Sequence, residues 1–282
     1  MAGLGWIDFS EEHRDRVFSV VDLLSPDGSV DELGVGTVRD AIADWLFPGV
    51  STIQTRPKYF IIIPQILLSY LKKHRKKEKL PILREYVRNE EHRIMNQLAK
   101  NYDFVEGNGI MGVSVARNNG ELARKPTSVY WNGLRKHGII DSNFSLSEYL
   151  KFNNLSTYQH NSHKDENPND DIALWNENFG IKCPIFNEVD KNTRMELSED
   201  EACYLRDQFI GTNGNVKNKG NLLSQILQSP ERIEMMTGAQ NFRNMAESLL
   251  QDESLNSDTK KILKIALDFD FLMHGAHIRY NI

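Results

Sequence analysis

Residues Phe47–Lys77 read FPGVSTIQTRPKYFIIIPQILLSYLKKHRKK. Two local codes compete in this stretch, and the fold depends on which one wins. The β-branched triplet Ile61–Ile63, closed by Pro64, reads as a short strand over Tyr59–Ile63. The spacing of Phe60, Ile63, Leu67 and Leu71 reads instead as one face of a helix. Pro57 suits the first turn of such a helix, but Pro64 falls inside it, which costs about 3 kcal/mol and kinks the axis. The spacing favours the kinked helix. Just upstream, Pro48-Gly49 stops a preceding helix, and Ser51 or Thr55 is placed to cap the next one. Those local rules do not require the polar set Thr52, Gln54, Thr55 and Arg56, which is expected to hold either a buried backbone or an anion.

Outward from this joint the pattern stays helical. SEEHRDRVFSVVDLL opens on Ser10 as an N-cap, and TVRDAIADWLF places Val38, Ile42, Trp45 and Leu46 on one face. PILREYVRNEEHRIMNQLAKNY is a strong helix, with Pro81 in its first turn and Leu83, Val87, Ile94 and Leu98 near one side. EGNGIMGVSVARNNGELARKP reads as loop with a short hairpin. TSVYWNGLRKHGII begins on a Thr or Ser cap and stops at Gly138, and SLSEYLKFNNLSTY is another short helix. Ser156–Asp171 has no aliphatic residue and reads as a linker. Helices follow over DDIALWNENF, SEDEACYLRDQFI, GNLLSQILQS, AQNFRNMAESLLQ and SDTKKILKIALDFDFLMHGAHI, and Ser198 and Glu201 have capping-box spacing. The expected fold is mainly α with little β-structure. A helical domain over 1–160 carries a winged-helix-like element at about 105–150, and a second helical domain covers 161–282.

With 282 residues and 40% hydrophobic content, the chain can bury a substantial core. No apolar run reaches the roughly 18–20 residues of a membrane helix, and the start lacks the basic and apolar regions of a signal peptide. Two cysteines, Cys183 and Cys203, fit free thiols in a reducing cytoplasm. The net charge of −5 conceals an asymmetry. Arg56–Lys100 holds twelve Lys and Arg against four Glu, whereas Asp165–Asp207 holds twelve acids against four bases. The whole chain is therefore no generic polyanion binder, although its basic segment suits one.

Candidate sites follow the charge. Arg117–Gly138 gathers Arg117, Arg124, Lys125, Arg135 and Lys136 around a short helix bearing Ser128, Tyr130 and Asn132. Such a helix can hold phosphates, and Tyr130 and Trp131 could stack on bases. The alternative is a surface helix packing Val129, Leu134, Ile139 and Ile140 inward. Lys72–Lys79 reads as a backbone-contacting run or as a solvated helix end favoured by the dipole. His160, His163, Asp165, Glu166, Asp170 and Asp171 carry metal-donor atoms but no supporting frame, and His274 with His277 lacks the His-Glu-x-x-His zinc pattern, so no metal is expected. Gly211–Asn221 fails the phosphate-loop test, Leu33–Thr37 fails the dinucleotide test, and no Gly-x-Ser-x-Gly elbow occurs, so no cofactor is expected.

LGWIDFSEEHRDRV, VDELGVGTVRDAIADWLFPGVSTIQTRPKYF, RKPTSVYWNGLRKHGI and the terminal HGAHIRYN resemble the bacterial domain-of-unknown-function family 6361. The resemblance covers most of residues 3–150 and a short C-terminal piece. It transfers no catalytic residue. It implies a cytoplasmic protein encoded near helicases and phospholipase-D-type nucleases in loci resembling anti-phage defence systems. The functional expectation is a non-enzymatic accessory subunit of a defence complex that contacts nucleic acid or a helicase-nuclease partner. One alternative is a nuclease or nucleotide-modifying effector with a site gathering Asp40, Asp44, Thr52, Gln54, Thr55 and Arg56. The other is a pure protein-assembly module acting through Trp and Tyr patches.

Overall fold

The helical spacing prevails over the β-branched triplet. In the computed structural model, Tyr59–Arg75 is a single helix with Pro64 inside it. The structure describes residues 34–118, 120, 122–152, 179–186, 192–211 and 220–280. Among these, eleven helices follow one another: α1 Val35–Leu46, α2 Tyr59–Arg75, α3 Leu83–Asn101, α4 Val113–Arg117, α5 Pro126–Lys136, α6 Leu146–Phe152, α7 Glu199–Ile210, α8 Leu222–Leu227, α9 Pro230–Gly238, α10 Phe242–Gln251 and α11 Ser257–Tyr280. The chain divides into two compact units between Ala43 and Asp44. The first is described only over 34–43, where α1 begins, and helices α2 to α11 belong to the second. The domain boundary expected near residue 160 lies outside the described residues, as do the Ser10 helix and most of DDIALWNENF.

Helix α2 is the axis of the second unit. Every residue from Tyr59 to Leu67 is buried, and a helix apolar on all sides belongs in the interior. Each buried Ile or Leu there is worth about 1.5–3 kcal/mol, so the surrounding packing outweighs the hydrogen bond that Pro64 cannot donate to the Phe60 carbonyl. Helices α3 and α5 pack on α2, and α4 and α6 pack on α3. The core cluster draws on all of these, Val113 of α4 included, and Met95, Ala99 and Ala116 form a satellite between α3 and α4. Phe179, Cys183, Met195 and Leu205, from the later part of the chain, close the same core.

The entry to α2 differs from its local reading. Its N-cap is Lys58, with no side-chain cap, and neither Ser51 nor Thr55 serves there. The backbone N–H groups of Phe60 and Ile61 instead bond to the carbonyls of Pro57 and Lys58 in a tightened first turn. At the other end Lys72, Lys73, His74 and Arg75 occupy the last turn, where cations suit the dipole. The helix α5 begins at Pro126 with Lys125 at the N-cap, and no Thr or Ser side chain caps it. Glu91 of α3 supplies the missing acceptor, as described below.

A winged helix would need a hairpin in 105–150. The described residues there hold α4, α5, α6 and one isolated bridge, Ile140 to Ile181, and no hairpin. The reason is local. Gly107, Gly109 and Gly112 all take positive φ, which breaks a strand, and side chains entering α2 hold their backbone in place of a paired strand. The later helices run as a series: α7, α8, α9, α10 and α11 each pack on the next. Arg232 joins part of that series from a buried position. It donates to Asp252, to the Gln225 carbonyl and to Ser254 at 2.6, 3.0 and 2.7 Å. The helix α9 has no strong apolar period and is absent from the sequence reading. Ser229 as N-cap and Pro230 in the first turn are the signals that mark it.

Candidate functional site

The joint 47–58 is built around one phenol. Tyr130 of α5 is fully buried. Its hydroxyl accepts from the Thr55 and Arg56 N–H groups at 2.7 and 3.0 Å and donates to the Arg56 carbonyl at 2.9 Å. Thr55 Oγ1 donates to the Gly109 carbonyl at 2.6 Å, and Arg56 Nε to the Asn108 carbonyl at 3.1 Å. Gln54 closes its own turn by donating to the Gly49 carbonyl at 3.0 Å. Thr52 is exposed. The polar set therefore fastens the 105–112 loop and α5 to the start of α2, which is the backbone-holding alternative. Gly133 permits this approach, because a Cβ on it would lie 2.5 Å from the Gly49 carbonyl oxygen. Replacing Tyr130 by Phe should cost about 2 kcal/mol, since two N–H groups and a carbonyl lose their partner together. A urea midpoint lowered at unchanged m would show it; a change below about 0.5 kcal/mol, the level of an ordinary surface substitution, would show that water replaces the hydroxyl.

Several proposed nucleic-acid contacts change role with the packing. Tyr130 is buried and cannot stack on a base. Trp131 is 6% exposed, lies 4.7 Å from the Tyr149 ring and donates Nε1–H to the Phe144 carbonyl. Arg135 ties the chain after α5 by donating to the Ser142 and Asn143 carbonyls. Lys136 pairs with Asp44 at 3.0 Å, and Arg117 donates to the Phe104 carbonyl. Arg124, Ser128 and Asn132 are exposed, and Lys125 is half-buried. Asp40 pairs with Arg39 on its own helix, Asp44 is engaged by Lys136, and Thr55 and Arg56 serve the joint. His160, His163, Asp165, Glu166, Asp170 and Asp171 lie outside the described residues, as does the His277 side chain. Among the described residues no group of three His, Cys, Asp or Glu could hold a metal.

The structure brings together a different constellation. Arg88, Asn89, Glu91, His92 and Met95 of α3, with Gly120, Leu122 and Lys125, line an open cleft of about 350 Å³. Glu91 is only 5% exposed. Its Oε1 accepts from both the Thr127 N–H and the Thr127 hydroxyl at 2.6 Å. Thr127 is in the first turn of α5, so a carboxylate from α3 caps a helix 36 residues away, with favourable dipole interaction. Burial raises the Glu91 carboxyl above its ordinary range, while the Thr127 hydrogen bonds and then the Lys125 charge pull it down. A perturbed carboxylate in a cleft is a functional-site signal. Its trace in the sequence is an acid at the place where the α3 apolar stripe Val87, Ile94, Leu98 requires an inward residue. Cys183, by contrast, is buried, and desolvation pushes its thiol up to about 12, which suits packing rather than nucleophilic chemistry.

Two of the motifs carrying the resemblance, Val30–Phe60 and Arg124–Ile139, thus meet within the second unit, through residues 47–60 and α5. A family model matches residues 1–282, the whole chain. The chain belongs to DUF6361, a family of unknown function. No curated protein and no solved structure matches it. In this DUF6361 chain, two of the motifs meet through Tyr130 and the Gly49–Gly133 approach. Their sequence character is therefore accounted for by architecture, and the cleft at Glu91 is the feature that architecture leaves over. No helix among the described residues is long and apolar enough to cross a membrane.

Proposed function

We propose that this chain is an accessory subunit that contacts nucleic acid through the basic wall of the Glu91 cleft, within a bacterial defence assembly. The observation that carries the reading is the grouping of Arg88 and Lys125 on one cleft, with Arg124 exposed beside it. Ser128 and Asn132 extend this polar surface along α5. Cations at a concave surface attract phosphates, and the contacts they make are salt-dependent. The joint residues Thr55 and Arg56 are occupied in holding backbone, so an effector site there has no support. The defence setting rests on the resemblance to the family. A protein partner is supported separately by α11, which leaves Ile265, Phe271 and Leu272 exposed at 50%, 67% and 67%.

The test is fluorescence anisotropy with duplex and single-stranded DNA between 50 and 200 mM salt. Each phosphate contact contributes a slope of about 0.9 in log K against log salt for duplex DNA. The paired substitution Arg124→Glu with Lys125→Glu should lower affinity by more than about tenfold and reduce the slope by about two contacts' worth. Binding unchanged in the double variant would remove this surface from consideration.

A further inference from the structure

The cleft has a chemical polarity that phosphate contact alone does not use. Its floor is apolar: Leu122 packs against the Met95, Ala99 and Ala116 cluster. Arg88 and Lys125 give it positive charge, and His92 stands on its wall. Among them sits a carboxylate, which a pure phosphate site would exclude by repulsion. Both Thr127 hydrogen bonds fall on Oε1; among the described residues Oε2 accepts none, and Glu91 lines the cleft. A carboxylate accepts and never donates. It therefore selects, from a ligand, an edge rich in N–H groups.

We propose that this cleft takes one guanine nucleotide, with the phosphate at Arg88 and Lys125, the base over Met95 and Leu122, and its donor edge at Glu91 Oε2. The volume, about 350 Å³, is at the small end of the range for ligand pockets, roughly 300–1,000 Å³, and suits a single nucleotide. Guanine presents adjacent N1–H and N2–H donors. Cytosine presents one amino group beside a ring acceptor, adenine an amino group between ring acceptors, and uracil a single N–H between two carbonyls. The carboxylate ranks them in that order. The nucleotide is either free or one residue of a strand. The inference rests on the nucleic-acid reading for its cationic wall and adds the base that the wall alone would not choose.

The test titrates the full chain with 5′-GMP, 5′-CMP, 5′-AMP, 5′-UMP and inorganic phosphate by calorimetry. Saturable GMP binding at least tenfold tighter than UMP and inorganic phosphate is expected. Glu91→Gln keeps an acceptor for Thr127 and replaces Oε2 by an N–H donor. It should weaken GMP at least tenfold without weakening inorganic phosphate, since the variant removes a negative charge. If that variant fails to fold, Arg88→Ala, a change at an exposed side chain, should weaken GMP and inorganic phosphate together. Oligo(dT) with one central dG, compared with oligo(dT) alone, separates the strand from the free nucleotide. A tenfold gain from that dG places the ligand in a strand; equal binding of the two, with GMP still bound, makes it the free nucleotide. Equal binding of the four mononucleotides, or an order unaltered by Glu91→Gln, overturns the proposal. DNA binding that keeps its salt slope alongside such a result would leave the interface reading intact, whereas loss of both would end both.

Discussion

Replacing Lys58 by Ala is expected to destabilise the protein by about 3–5 kcal/mol, the cost of stranding one member of a buried ion pair. Lys58 is 9% exposed and Glu201 is 6% exposed. The ammonium donates to both carboxylate oxygens, at 2.7 and 2.5 Å. Glu201 Oε2 also accepts from the Ser198 N–H at 2.8 Å, within the capping box of α7. The pair thus fastens the first residue before α2 to the first turn of α7, 143 positions later. Losing the lysine leaves a carboxylate buried with its capping partner alone, and α7 loses its electrostatic tether. The pair is not thereby a large net stabiliser, because desolvation offsets most of its attraction. The double change Lys58→Met with Glu201→Gln should consequently recover most of the loss. It fills the lysine's space with apolar atoms and keeps an acceptor for Ser198. Urea denaturation of the three proteins distinguishes these outcomes. A loss below about 1 kcal/mol in the single variant, typical of solvent-exposed pairs, would mean that the pair is wet in solution.

Acidification should remove about 3 kcal/mol of stability through His137 alone. The ring is fully buried at the end of α5, 4.2 Å from Phe209 and 5.7 Å from Phe60 between centroids. Burial in that aromatic box lowers its pKa from 6.5 to about 4. The unfolded chain takes up the proton near pH 6.5, and the folded chain only near pH 4. The folded state therefore binds fewer protons in between, and stability falls as pH falls, by up to about 1.4 kcal/mol per pH unit. The contribution is complete above pH 6.5 and exhausted below pH 4. Asp252, lowered to about 2 by Ser254 and Arg232, loses its own contribution at lower pH. Glu91 acts in the opposite sense, because its raised carboxyl makes ionisation costly in the folded state and acid relieves that cost. Comparison with His137→Phe isolates the histidine: the wild-type slope between pH 6.5 and 4 should largely disappear in the variant. Parallel pH profiles for the two proteins would show that the ring is hydrated in solution.

The contrast between Pro64 and Glu91 shows where the sequence is informative. The helix around Pro64 follows from residues within two turns of it, because apolar spacing and side-chain burial act along a single segment. The capping box at Ser198 and Glu201 is read the same way, with both partners three residues apart. The Glu91 cap of α5 joins positions 36 apart, and the Tyr130 hydroxyl joins positions 74 and 75 apart. Local rules assign Thr or Ser to the first task and base stacking to the second. Tertiary packing overrules both, since a buried carboxylate is a stronger acceptor than a hydroxyl and a phenol closed off from solvent has only backbone to bond.

By itself the sequence determined that this protein is a helical DUF6361 member with a helix running through Pro64, a basic segment at 56–100 and an acidic stretch after residue 165. Composition, period and end signals act over a few residues, and they suffice for those conclusions. Only the tertiary structure decided that Thr55, Arg56 and Tyr130 form a structural joint, that Arg135 and Lys136 are spent on intramolecular contacts, and that Arg88, Glu91 and Lys125 meet at one cleft. Those outcomes depend on which helix faces which, and that pairing is set by the mutual burial of distant apolar faces rather than by any single segment.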